Sequence, residues 1–245
     1  MRVCAILSIL LCSSPAPGGE PLRAAVASNF AGAFDALAED FSTRTGIEIE
    51  RSYGSTGKLY AQIRNGAPFD VFLAADVERP DLLEASGRAE TGSRFTYAVG
   101  RLAVWSRSAD DCLGALRDAD SGYVAIANPE LAPYGRAAGE YLAAAGIRDG
   151  LARRLVYGEN VSQAFAYAAS GNAIVAIVSL SHSKRPGARR RAGCVHEVPA
   201  GLHAPIEQQA VLVNPDSAAA RRFLAFLKSA RARALIRAAG YEVRE

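Results

Sequence analysis

The sequence predicts an α/β protein of two lobes with a cleft between them. Short apolar runs alternate with amphipathic stretches from Leu22 onward, the order expected of strands joined through helices. The alternation forms two sets, with crossings near residues 98–101 and 205–207. The 245 residues, 50% of them hydrophobic, are enough to bury one large core or two smaller ones.

Met1 and Arg2, an apolar stretch through Leu11, and Ser13-Ser14-Pro15-Ala16-Pro17-Gly18-Gly19 have the charged, apolar and small-residue order of a secretory signal. Residues 1–19 are therefore set apart from the fold. This stretch is too short to span a bilayer, and no later segment has about 18 uninterrupted apolar residues. A soluble product exported across the inner membrane is expected. Cys12 follows Leu11, where a lipidation signal carries a small residue, so no lipid anchor is expected. Cys112 and Cys194 remain as an even pair in an oxidising compartment, and either a disulfide or two separately buried thiols would fit.

The first lobe, residues 20–99 and 207–245, starts with a strand at 22–26. A helix follows, with Phe30, Phe34, Leu37, Ala38 and Phe41 on one face, and stops near Thr45-Gly46. A strand at 47–51 leads through Tyr53-Gly54-Ser55-Thr56-Gly57 into a helix that closes at Asn65-Gly66. A third strand is expected at 71–74. The second lobe, residues 100–206, has strands at 102–105, 124–127 and 174–178, with helices at 134–145 and 161–169. Residues 206–213 return to the first set, and 217–239 form a helical tail ahead of Gly240.

The net charge is +3, much of it from Lys184, Arg185 and Arg189-Arg190-Arg191. Pro186, Gly187 and Gly193 flank this cluster, which reads as a solvated loop, and His182, His196 and His203 fall in or beside it. It has no interleaved aromatics, which argues against a nucleic-acid partner.

The chemistry concentrates at four loop-to-helix junctions: Ser28-Asn29, Ser55-Thr56, Pro133-Tyr134 and Asn160-Val161. The first turn of a helix has backbone N–H groups without partners and a partial positive charge, which together attract anions. Ser28, Ser55 and Thr56 add hydroxyl donors and Asn29 an amide. Any one junction is adequately explained as an ordinary cap. Two in each half, facing one cleft, would enclose an anion from both sides. None of the junctions carries an acid, so the set suits an anion with no proton of its own. Hydrogen phosphate would want a facing carboxylate.

Other chemistries fit poorly. Gly54-Ser55-Thr56-Gly57-Lys58 fails as a phosphate loop, since Ser52 stands where the first Gly is needed and Leu59 where Ser or Thr is. There is no Gly-x-Ser-x-Gly elbow, and no histidine stands at a junction, so no catalytic residue is assigned. The cysteines and histidines match no compact zinc spacing.

The motifs AVASNF (25–30), GSTGKLYAQIRNGAPFDVFLAAD (54–76), SRFTYAVGRLAVWS (93–106), NPELAPYG (128–135), ENVSQA (159–164) and IEQQAVLV (206–213) are spread along nearly the whole mature chain. In these the sequence resembles the periplasmic molybdate-binding proteins of ABC importers. The resemblance implies the type II periplasmic binding protein fold, with two α/β lobes, each a mixed, mostly parallel sheet flanked by helices, and a ligand cleft between them. It also implies a monomer that needs no cofactor, captures molybdate or tungstate and docks on membrane permease subunits. Sulfate, phosphate or another small oxyanion is the alternative ligand. The resemblance assigns contacts to Ser28, Asn29, Thr56, Tyr134 and the backbone N–H of Val161, with Ser55 and Asn160 as possible additions. A metal would be held only through its oxo groups. Another branch of the family uses a tyrosine where this chain has Ser179; neither Tyr157 nor Tyr167 is taken as its substitute.

Overall fold

In the computed structural model, which describes residues 20–118, 120 and 122–244, the chain enters on strand β1 (Leu22–Ala27). The segment read as a signal, with Cys4 and Cys12, lies outside the described residues. A 3-10 turn, Ser28–Phe30, runs into helix α1 (Ala31–Thr45). Its expected apolar face is buried, and Gly46 ends it at φ 71°, a left-handed cap that glycine adopts without a Cβ clash. Then come β2 (Ile49–Gly54), α2 (Thr56–Arg64), β3 (Val71–Leu73), α3 (Glu78–Ala85) and β4 (Phe95–Gly100).

Only Arg101 separates β4 from β5 (Leu102–Ser106), which opens the second sheet. There follow α4 (Cys112–Arg117), β6 (Val124–Ala127), α5 (Pro133–Ala144), β7 (Leu155–Gly158), α6 (Val161–Ser170) and β8 (Val175–Ser179). The short helices α7 (Leu180–Lys184) and α8 (Pro186–Arg191) lead to β9 (Cys194–Glu197). The chain then crosses back into β10 (Ile206–Leu212), α9 (Ala218–Leu227) and α10 (Ala230–Ala238).

The two sheets share one plan. The first has the order β2-β1-β3-β10-β4 and the second β7-β6-β8-β5-β9. In each, three parallel strands are followed by an antiparallel strand that has just crossed from the other sheet, β10 in the first and β5 in the second. β1 thus corresponds to β6, and β2 to β7. The crossings lie side by side, because β10 pairs antiparallel with β4 and sets Ile206 opposite Gly100. Glu242 adds a further bridge to Val99.

Each sheet has its own core. Phe34, Phe41 and Phe223 interlock beside the first, with ring centroids 5.3–5.6 Å apart. Trp105, Leu116, Tyr141 and Leu142 fill the second. Cys112 and Cys194 form a disulfide between α4 and β9, which decides between the two readings left open for them. It also removes the thiols a zinc site would have used.

Several expectations are corrected. β2 starts two residues later than expected and reaches Gly54, because its register pairs Leu22 with Ile49 and Ala27 with Gly54. The tail is two helices, since Ser229 interrupts it and caps α10 by accepting from the Ala232 amide. α3, β4, α4, β7, α7 and β9 were not foreseen. The basic segment is helical rather than a loop: Pro186 starts α8, and Arg185 before it is extended (φ −59°, ψ 136°), as a residue preceding proline prefers. His182, expected in solvent, is fully buried.

Candidate functional site

All four junctions sit at the carboxyl ends of equivalent parallel strands. Ser28-Asn29 follows β1 and Ser55-Thr56 follows β2, while the junctions at Tyr134 and Val161 follow β6 and β7. The carboxyl ends of such strands are where α/β sheets place ligands. Here two such edges face each other across one cleft.

A single small cavity of about 10 Å³ is lined by residues of all four junctions: Ser28, Asn29, Ser55, Thr56, Tyr134 and Val161. At this volume it is about the size of one water molecule, far below the several hundred Å³ of a cofactor pocket. None of the helices that start here, α1, α2, α5 and α6, has an acidic residue in its first turn. Asp76, a partly buried carboxylate that follows the cavity-lining Ala75, is engaged with Arg79, whose amide and guanidinium reach its two oxygens. Burial raises its pKa, and Arg79 opposes that rise.

The donors divide by what is left free. In α2 the Gly57 and Lys58 amides have acceptors, in α5 those of Gly135 and Arg136, and in α6 those of Ser162, Gln163 and Ala164. Thr56, Tyr134 and Val161 line the cavity and stand in the first turns, where an N–H has no intrahelical acceptor. The Thr56 hydroxyl accepts from the Ala75 amide at 3.1 Å and keeps its proton to donate. Ser28 is buried beside it.

Ser55 and Asn160 cap their helices. Ser55 Oγ accepts from Lys58 N at 3.4 Å, and Asn160 Oδ1 accepts from Ser162 N and Gln163 N at 3.0 and 3.1 Å. Asn160 does not line the cavity. The Asn29 amide, expected to donate to the anion, gives its protons to Gln208 Oε1 at 2.8 Å and the Tyr241 hydroxyl at 3.2 Å.

Sequence reasoning missed the support behind these residues. Gln208, fully buried on β10, accepts from Asn29 and from the Tyr97 hydroxyl (3.2 Å) and donates across the cleft to the Tyr134 hydroxyl at 3.3 Å. Tyr241 donates to the Asn29 carbonyl at 2.7 Å, and the Ser181 hydroxyl donates there at 3.0 Å. Burial raises the pKa values of Tyr97, Tyr134 and Tyr241 above the ordinary phenol value, keeping all three neutral. Ser179, left in doubt from sequence, caps α7 and bonds the Ser181 hydroxyl at 2.7 Å. The one available signal was Gln208 at an inward position of a strand whose neighbouring inward residues, Ile206 and Ala210, are apolar.

The lobes meet around the cavity. Gly57 N donates to Leu131 O at 2.9 Å, Ser162 Oγ donates to Ser28 O at 3.1 Å, and Lys58 Nζ lies 2.8 Å from Glu159 at the rim.

Residues 22–242 match the family model described as bacterial extracellular solute-binding protein. The chain is 40% identical to molybdate-binding protein ModA of Azotobacter vinelandii over 238 residues, covering 95% of this chain and 93% of that one. It is 42% identical to ModA of Rhodobacter capsulatus over 231 residues, with coverage of 93% and 90%. The solved periplasmic molybdate-binding protein of A. vinelandii superposes with a TM-score of 0.86 at 38% identity, covering 91% of this chain and all of that one.

Proposed function

The chain belongs to the bacterial extracellular solute-binding protein family, and from this premise we propose that it captures molybdate or tungstate outside the cytoplasm and delivers it to an ABC importer. The observation that carries the reading is the small cavity at four helix starts, furnished only with neutral donors. A fully deprotonated dianion is all acceptor, so hydroxyls and backbone N–H groups suffice to hold it. Each such bond to a charged group is worth about 1.5–3 kcal/mol. With no buried cation, the empty site avoids an uncompensated charge.

Ser28, Thr56 and the backbone amides of Asn29, Tyr134 and Val161 are the contacts, Ser55 and Asn160 act as caps, and Gln208 and Tyr241 hold the Asn29 side chain. Residues 20–100 with 206–245 move as one lobe against 101–205, and the hinge lies where β4 pairs with β10. These bounds lie one residue from the 20–99, 207–245 and 100–206 read in the sequence, because Gly100 and Ile206 pair in the first sheet. The protein acts as a monomer, performs no chemistry on its ligand, and is released in the periplasm after loss of the signal at 1–19, with no lipid on Cys12. Its partners are the anion and the permease subunits. Among the described residues, no helix is long and apolar enough to cross a membrane.

Titration calorimetry with molybdate, tungstate, sulfate and phosphate at neutral pH tests the reading. Molybdate and tungstate are expected to bind far more tightly than the other two, and a tighter sulfate complex would refute the choice of ligand.

A further inference from the structure

At two places where the lobes meet, one side is a glycine and the other a hard polar atom. A Cβ on Gly57 would stand 3.0 Å from the Leu131 carbonyl oxygen, the same oxygen that accepts the Gly57 amide. A Cβ on Gly100 would overlap the Tyr134 hydroxyl and lie 2.8 Å from Gln208 Nε2. Neither glycine has a positive φ, so space rather than backbone conformation keeps these positions bare. Gly57 is at the mouth of the cleft and Gly100 at the crossing.

Resting on the oxyanion reading above, we propose that Gly57 and Gly100 are closure stops, seats for the Leu131 carbonyl and the Tyr134 hydroxyl that fix the width of the anion site. Gly57 follows Thr56, and Leu131 stands three residues before Tyr134. Their contact therefore sets the distance between one free amide of each lobe. Tyr134 links the two stops, because its amide faces the anion while its hydroxyl rests at the hinge. Once both seats are filled the lobes come no closer. A smaller tetrahedral anion such as sulfate then leaves donors on one side beyond good bonding distance, where hydrogen bonds weaken.

Two variants test this by calorimetry, with thermal unfolding of the ligand-free protein alongside. Gly57→Ala places a better helix former in α2, so the free protein keeps or gains stability, while the added Cβ holds the lobes apart. Its molybdate Kd is expected to rise by about tenfold or more, the equivalent of one weakened bond to a charged group. Tyr134→Phe keeps the amide and removes the hinge stop, so the molybdate-to-sulfate affinity ratio is expected to fall by about tenfold. The proposal is overturned if Gly57→Ala binds molybdate within about twofold of the parent, or if Tyr134→Phe leaves the ratio unchanged. A parent protein that prefers sulfate would instead overturn the ligand assignment, and the same two variants measured on sulfate would then decide the stops.

Discussion

His182 Nε2 stands 3.0 Å from the Ser162 hydroxyl, which donates in turn to the Ser28 carbonyl of the opposite lobe at 3.1 Å. A carbonyl can only accept, so the single serine proton goes to Ser28 and His182 must carry its proton on Nε2. His182 Nδ1 is then a bare acceptor, buried without a partner. Burial, and secondarily the charge of Arg185, pushes the His182 pKa well below its ordinary value of 6.5. A histidine that stays neutral thus steadies the peptide at the first junction.

This depressed pKa makes stability depend on pH. The unfolded chain protonates His182 below about 6.5 while the folded chain does not, so its stabilising effect is present above that pH and lost as pH falls. Urea unfolding between pH 7.5 and 5.5 should show a decline in which this group accounts for at most about 1.4 kcal/mol per pH unit. His182→Gln retains an N–H donor and should remove that component of the slope. An unaltered slope would exclude His182 as its source.

Thr56→Val removes a ligand donor and also the acceptor of the Ala75 amide. Affinity for molybdate should fall by about 1.5–3 kcal/mol, and Thr56→Ser should restore most of it. An unchanged Kd in Thr56→Val would remove Thr56 from the site.

The buried polar knot is more costly to break. Gln208→Leu leaves the Asn29 amide and the Tyr134 hydroxyl each one partner short, while the Tyr97 hydroxyl keeps the Ala74 carbonyl. One unpaired buried group costs about 1–3 kcal/mol, so loss of both folding stability and affinity is expected in denaturant and binding titrations.

At the rim the opposite result is expected. Lys58 and Glu159 are 53% and 43% exposed as side chains, and an ion pair this open contributes less than about 1 kcal/mol after screening. Lys58→Ala should change Kd by less than about fivefold, with the difference vanishing in 0.5 M salt.

The disulfide joins residues 82 apart in sequence. Loop closure of that length corresponds to at most about 4.5 kcal/mol of stability, and Cys112→Ser with Cys194→Ser should lose about 2–4 kcal/mol in chemical denaturation. Anion affinity should change little, because both cysteines lie away from the cavity.

The Ser55 and Asn160 junctions were legible because capping is local, a Ser or Asn and the amides two or three residues on being close in any helix start, and Pro133 marks the start of α5 as proline at a first helical position does. The apolar face of α1 and the Gly46 stop were readable for the same reason. The support of Asn29 was not, since Gln208 and Tyr241 lie 179 and 212 residues away and reach it only through the two crossings. The basic segment misled because arginines with proline and glycine describe a loop as well as a short helix. His182 is buried there against Ser162 and Phe165 of α6, and nothing in the charge pattern signals it.

The second lobe is inserted within the first, whose sheet lacks its fourth strand until β10 is made and whose Asn29 lacks a brace until Tyr241 is made. During synthesis, therefore, the N-terminal strands wait for more than a hundred residues before their sheet can close. A polypeptide that must be threaded through a secretion channel gains from that delay, because its first sheet stays open until β10 is made.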